Sequence, residues 1–267
     1  MSLVARRLGY RVAKHWLVRQ VDLTVAAGEL LVILGPNGAG KSTLFNMLSG
    51  DWPASEGSVQ LHGVSYSQWD GHALARCRGI LPQHSSLTFP FTVEEVVRMG
   101  RTPHETGRRR DDEIVAELIE LCDLQMLKAR LYPWLSGGEK QRVQLARVLA
   151  QVWPDSGAGD LDGLGDSHAN KFLFLDEPTS ALDIAHQHSM LQLARSLTGK
   201  GYSAVVILHD LNVAAAYADR VLMLHEGEVA GLGTVQEVFQ RDLLQRVFGV
   251  KVEIFAHPER GVPWVIW

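Results

Sequence analysis

The sequence predicts an α/β fold, a mostly parallel sheet covered by helices and interrupted by a helical insert. Three observations predict it. Short apolar runs at Leu30–Leu34, Phe172–Leu175 and Ala204–Leu208 each stop at glycine or polar residues. Continuous runs of that length, without alternation, are the pattern of parallel strands buried on both faces. A glycine-rich loop follows the first run and opens an apolar-periodic helix bearing Leu44, Phe45 and Leu48. Between residues 91 and 153, only helical spacing is found.

Size and charge narrow the possibilities. A chain of 267 residues suffices for one large α/β domain, or for a core with an inserted subdomain, and 46% apolar residues supply its interior. The net charge of −4 gives no electrostatic ground for a nucleic-acid partner. Cys77 and Cys122 are far apart and lack metal-ligand spacing, so they read as reduced thiols of a cytosolic protein. Residues 1–10 lack the apolar stretch of a secretory leader. The longest apolar runs fall well short of the ~20 residues that span a bilayer. Any action at a membrane is therefore expected to run through a partner.

Taken in chain order, the elements carry their chemistry at strand ends. Leu30–Leu34 leads into Gly35–Ser42, where Gly35, Gly38 and Gly40 let successive backbone N–H groups turn toward phosphate oxygens. Lys41 brings a point charge to the β and γ phosphates, and the Ser42 hydroxyl can ligate Mg²⁺. Gln83 follows Gly79–Pro82 with little signal of its own. Helical spacing then covers Thr92–Met99, Asp111–Cys122 and Ser136–Trp153, with Ile114, Leu118, Leu121 and Cys122 on one face. Asp111, Asp112 and Glu113 read as a helix start, where carboxylates complement the dipole. Arg108–Arg110 read as a solvated surface before it, with a partner contact as the alternative.

Ser136 and Glu139 have capping-box spacing, and Gly137 and Gly138 bare the first N–H groups behind the cap for an anion. The Gly- and Asp-rich stretch 153–170 invites a calcium reading, but counting from Asp160 puts Lys171 where a closing glutamate belongs. A mobile, solvated loop is the better expectation. Phe172–Leu175 delivers Asp176 and Glu177 to a strand's C-terminal end, where open α/β sheets bind ligands. Asp176 suits a Mg²⁺ role through water, and Glu177 can take a proton from an attacking water. His209 follows Ala204–Leu208 and is expected at the same sheet edge.

These residues, in this order, resemble the ATPase subunit of an ATP-binding-cassette (ABC) transporter over nearly the whole chain. Gly35–Ser42 resembles the Walker A loop, Phe172–Glu177 the Walker B strand and Leu135–Glu139 the signature motif. Gln83 falls at the Q-loop, Ser180–Asp183 at the D-loop and His209 at the switch histidine. The resemblance implies a RecA-like P-loop NTPase core of the ABC ATPase type, mostly parallel, with an antiparallel N-terminal β portion. It divides the chain into a nucleotide-binding core, 1–86 with 171–267, and a helical signature subdomain, 87–170. ATP and Mg²⁺ are the implied cofactors. Gly35, Pro36, Asn37, Gly38, Ala39, Gly40, Lys41, Ser42 and Thr43 are implied to wrap each ATP in one copy of a homodimer. Ser136, Gly137, Gly138 and Glu139 of the other copy would close on it. The implied catalytic residues are Glu177, His209, Gln83 and Lys41; Ser42, Gln83 and Asp176 are the implied metal ligands. Tyr10 is the candidate for stacking on adenine, with Trp16 as its rival. Two helix ends at about 2 kcal/mol each would bias closure by about a thousandfold.

Phe91–Val97 with Gly100–His104 resembles the importers of iron chelates, haem and cobalamin. Within that branch Ser180–His188, and Val152–Pro154 before a long loop, favour hemin as cargo over a ferric siderophore or cobalamin. The implied partners are two transmembrane permease subunits and a periplasmic hemin-binding protein. No nucleic acid is expected, and membrane contact would run through the permease, on the cytoplasmic side of the inner membrane. His186 and His188 lie two apart, on different helix faces, and do not read as haem ligands. A soluble ABC-type switch acting on ribosomes or nucleic acid is the rival class. The tandem cassettes or basic extensions frequent in such switches are not seen here.

Overall fold

The computed structural model describes residues 2–83, 87–155 and 171–267. Residues 156–170 of the predicted Gly/Asp loop lie outside the described residues. The chain runs β1 (Leu3–Val12), β2 (His15–Val25), β3 (Leu30–Leu34), α1 (Lys41–Ser49), β4 (Glu56–Leu61) and β5 (Val64–Ser65). It continues through α2 (Gly71–Cys77), β6 (Arg78–Leu81), α3 (Val93–Met99), α4 (Arg108–Leu121), α5 (Gly137–Val152) and β7 (Lys171–Asp176). Then come α6 (Ile184–Thr198), β8 (Tyr202–Ile207), α7 (Leu211–Tyr217), β9 (Arg220–His225) and β10 (Glu228–Thr234). The last elements are α8 (Val235–Val238), α9 (Arg241–Phe248), β11 (Glu253–Ala256) and β12 (Pro263–Ile266). Two compact units result, Met1–Gln68 with Ser203–Trp267, and Trp69–Tyr202.

In the first unit, β3 pairs in parallel with β8 on one side and β9 on the other, and β10 returns antiparallel to β9. Every residue of β3 and of β8 is buried, as their unbroken apolar runs require. A second, antiparallel sheet has the order β2-β1-β4-β5. Its strands alternate between buried and exposed residues, β2 most regularly toward its C-terminal end. This is the antiparallel N-terminal portion that the resemblance implies. The β11–β12 hairpin packs on α7.

The second unit sets the parallel pair β6 and β7 beside helices. Helix α5 packs on α3, α4 and β6. No strand interrupts α3 to α5; the single bridge there joins Thr92 to Leu131. Helix α4 starts earlier than the spacing over Asp111–Cys122 predicts. The helix begins at Arg108, so the arginine run forms its first turn instead of preceding it. Arg110 pairs with Glu113 at 2.7 Å and donates to the Asp155 carbonyl, which offsets the cost of cations at a positive helix end. Arg108 is exposed, and the Arg109 side chain is 96% exposed, so these two are the solvated ones. Arg101 is buried and joins Asp111 at 2.9 Å and Asp155 at 2.8 Å while donating to the carbonyls of Ala150 in α5 and of Trp153, the residue that caps it. The Gly100–His104 stretch therefore has a packing role that its sequence did not reveal.

Candidate functional site

Strand β3 carries the chain into Gly35, and the loop turns through positive φ at Gly35, Gly38 and Gly40. Gly40 decides the geometry. Its φ of 96° belongs to glycine, and a Cβ there would lie 2.5 Å from the Leu17 carbonyl. Gly40 is also the N-cap of α1, and no side chain caps this helix start. The first N–H groups of α1 therefore face whatever anion the loop encloses. Lys41 is buried, and its Nζ donates to the carbonyls of Gly35 at 2.9 Å and Pro36 at 3.1 Å. Ala39 N–H donates back to Pro36, and Gly227 N–H reaches Ala39 from the β9–β10 turn. Asn37, Gly38 and Ser42 are exposed, and Thr43 is half-buried. All nine predicted loop residues thus form one folded cradle.

Tyr10, on β1, packs against Trp52 with ring centroids 5.3 Å apart and planes inclined by 34°. Nothing in the sequence pointed to Trp52. Trp16 carries the Arg11 guanidinium over its ring at 5.3 Å. His209 is exposed beyond β8, and the next residue, Asp210, caps α7 by accepting from the N–H groups of Asn212 and Val213.

The remaining predicted residues lie in the second unit. Asp176 ends β7 and is buried. Glu177 follows at φ 47°, left-handed backbone that a non-glycine residue rarely adopts. Gln83 Nε2 donates to Glu177 Oε2 at 2.7 Å. That bond joins residues far apart in sequence, so no local pattern could announce it. The capping box is present: Ser136 Oγ accepts from Glu139 N–H at 3.3 Å, and Glu139 Oε2 accepts from Ser136 N–H at 2.7 Å. The Ser136 N–H is the main cause holding the Glu139 carboxyl below the usual carboxylate range. Gly138 does more than bare an amide. A Cβ on it would lie 3.2 Å from both the Ala181 carbonyl and Leu182 Cδ2, so α5 abuts the segment before α6. Asp183 caps α6, and its Oδ1 lies 2.8 Å from His186 Nδ1, which gives that histidine a local partner. Among the described residues, no group of three or more His, Cys, Asp or Glu side chains gathers to hold a metal. None of their helices is long and apolar enough to cross a membrane.

A strand, a lysine-anchored glycine loop and an uncapped helix start define a phosphate-loop nucleotide-binding protein. The chain belongs to the ABC transporter family, whose model matches residues 18–153. It is 48% identical, over 99% of both chains, to the hemin import ATP-binding protein HmuV of Pseudomonas fluorescens (strain Pf0-1). It is 46% identical to the protein of the same name from Pseudomonas aeruginosa, again over 99% of both chains. Among solved structures it resembles a putative metal-chelate type ABC transporter in an inward-facing conformation. The TM-score is 0.78 at 25% identity, over 99% of this chain and 96% of that one. A dimeric ATP-binding cassette with ADP and Pi is also similar, with a TM-score of 0.71 at 25% identity over 87% of this chain and 98% of that one.

Proposed function

We propose that this chain is the ATP-hydrolysing subunit of an importer that carries hemin across the inner membrane. Two copies would serve two permease subunits on the cytoplasmic side, with a periplasmic hemin-binding protein delivering the cargo. The cargo assignment leans on relatives named for hemin import that align end to end with this chain. The chemistry leans on one observation, the Glu177 carboxylate already held by Gln83 at 2.7 Å. In that reading Glu177 orients a water and takes its proton as the water oxygen attacks the γ-phosphorus. The bond to the β–γ bridging oxygen then breaks, and ADP and phosphate leave. Lys41 exchanges its loop carbonyls for phosphate oxygens, the α1 N–H groups take up the rest, and His209 holds the terminal phosphoryl group.

Ser42, Gln83 and Asp176 offer a hydroxyl, a carboxamide and a carboxylate, oxygen donors of the hard kind that suits Mg²⁺. Mg²⁺ would supply neutralisation of the phosphate charge. Ser136–Glu139 of the second copy would cap the γ-phosphate, so closure would depend on the intact triphosphate. Tyr10, backed by Trp52, would stack on adenine. We read 1–86 with 171–267 as the nucleotide core and 87–170 as the signature subdomain. The test is ATP turnover by the complex with its permease in vesicles. Hemin-loaded binding protein should stimulate it. Stimulation by a ferric siderophore or cobalamin carrier instead would move the cargo assignment.

A further inference from the structure

The C-terminal hairpin grips the start of α7. In the first turn, Asn212 Nδ2 donates to the Val265 carbonyl at 3.0 Å, and Asn212 Oδ1 accepts from the Val265 N–H at 2.7 Å. One carboxamide thus takes both backbone groups of one β12 residue, as a neighbouring strand would. Two bonds to a single residue fix orientation as well as distance. Val265 is buried, and Ile254 lies opposite it in register.

The gripped helix begins directly after His209. Asp210 caps α7 through the N–H of Asn212 itself, so one residue is tied at once to the cap and to β12. We propose that Asn212 is a positioning residue for His209 and that residues 253–266 act as a clamp setting where that histidine stands. The inference rests on the reading of His209 as the residue that holds the terminal phosphoryl group. Lys41 and the rest of the glycine loop are not part of the clamp, so nucleotide affinity is left alone while turnover depends on it. A displacement on the order of 1 Å in a catalytic group can cost up to about a hundredfold in rate.

The experiment measures kcat and KM for ATP in the full-length chain with Asn212→Ala, His209→Ala and the double variant. Thermal unfolding of each would confirm folding. Asn212→Ala is expected to lower kcat by about tenfold while KM stays within about twofold. The double variant is expected to turn over no more slowly than His209→Ala alone, which a merely structural role would not produce. Unchanged kcat in Asn212→Ala, or a full further loss in the double variant, overturns the inference and leaves the reading of His209 standing. Full turnover by His209→Ala overturns both. Should Asn212→Ala fail to fold, Asn212→Asp keeps the acceptor for the Val265 N–H and loses the donor to its carbonyl. It is expected to lower kcat severalfold at constant KM, and an unchanged kcat there also overturns the clamp.

Discussion

Glu177 sits in left-handed backbone, a conformation that costs a non-glycine residue on the order of 1 kcal/mol or more and persists where surroundings hold it. The hydrogen bond from Gln83 is one such restraint. Glu177→Gln should keep ATP binding yet slow turnover by at least about a hundredfold, measured as single-turnover phosphate release. Retention of the original rate would remove Glu177 from the role of base. His104 supports a prediction about stability. Its side chain is buried between Asp155 at 2.6 Å and the Gln151 carbonyl at 2.8 Å. Burial, helped by repulsion from the Arg101 guanidinium, keeps it harder to protonate than an ordinary histidine despite both partners. The unfolded chain therefore takes up that proton more readily. Stability is expected to fall as pH drops below about 6.5. The lowered carboxyls of Asp111 and Asp155 act only in a more acidic window. His104→Gln should flatten the decline in thermal midpoint between about pH 7 and 5.5. At this scale the glycine loop was legible because its chemistry is contiguous. The Gln83–Glu177 and Tyr10–Trp52 contacts were not, because each joins separate stretches of chain.

Helix starts were legible wherever a side chain writes them. Ser136 and Glu139 announce α5, and Thr92 and Glu95 form the same reciprocal box at α3. The start of α4 is hard to read because three arginines are poor company for a positive helix end; Glu113 compensates Arg110 one turn on, but the Asp155 carbonyl comes from a distant stretch of chain. Ser136→Ala should cost about 1 kcal/mol of stability, seen as a lower denaturation midpoint. Gly138→Ala tests a different link. Its methyl would press on Ala181 and Leu182, shifting the segment before α6 by tenths of an ångström. Nucleotide binding should survive while turnover falls severalfold. A wild-type rate would show that this segment tolerates the displacement.

For the molecule as a whole, the fold class was readable because buried parallel strands leave unbroken apolar runs, as β3 and β8 do. The compact unit Trp69–Tyr202 gathers β6 and β7 with the helices. Apolar patterning marks elements but says little about how densely they associate. The bracing of the glycine loop has a kinetic corollary. Lys41 braces it through Gly35 and Pro36, and Gly227 fastens it from behind, so the loop's own bonds hold its shape. Encounter should then be a single bimolecular event. Stopped-flow mixing with a fluorescent ATP analogue should give observed rates that climb linearly with concentration, without lag or plateau. Replacing Lys41 by alanine should introduce a saturating phase, as the slackened loop must first order itself.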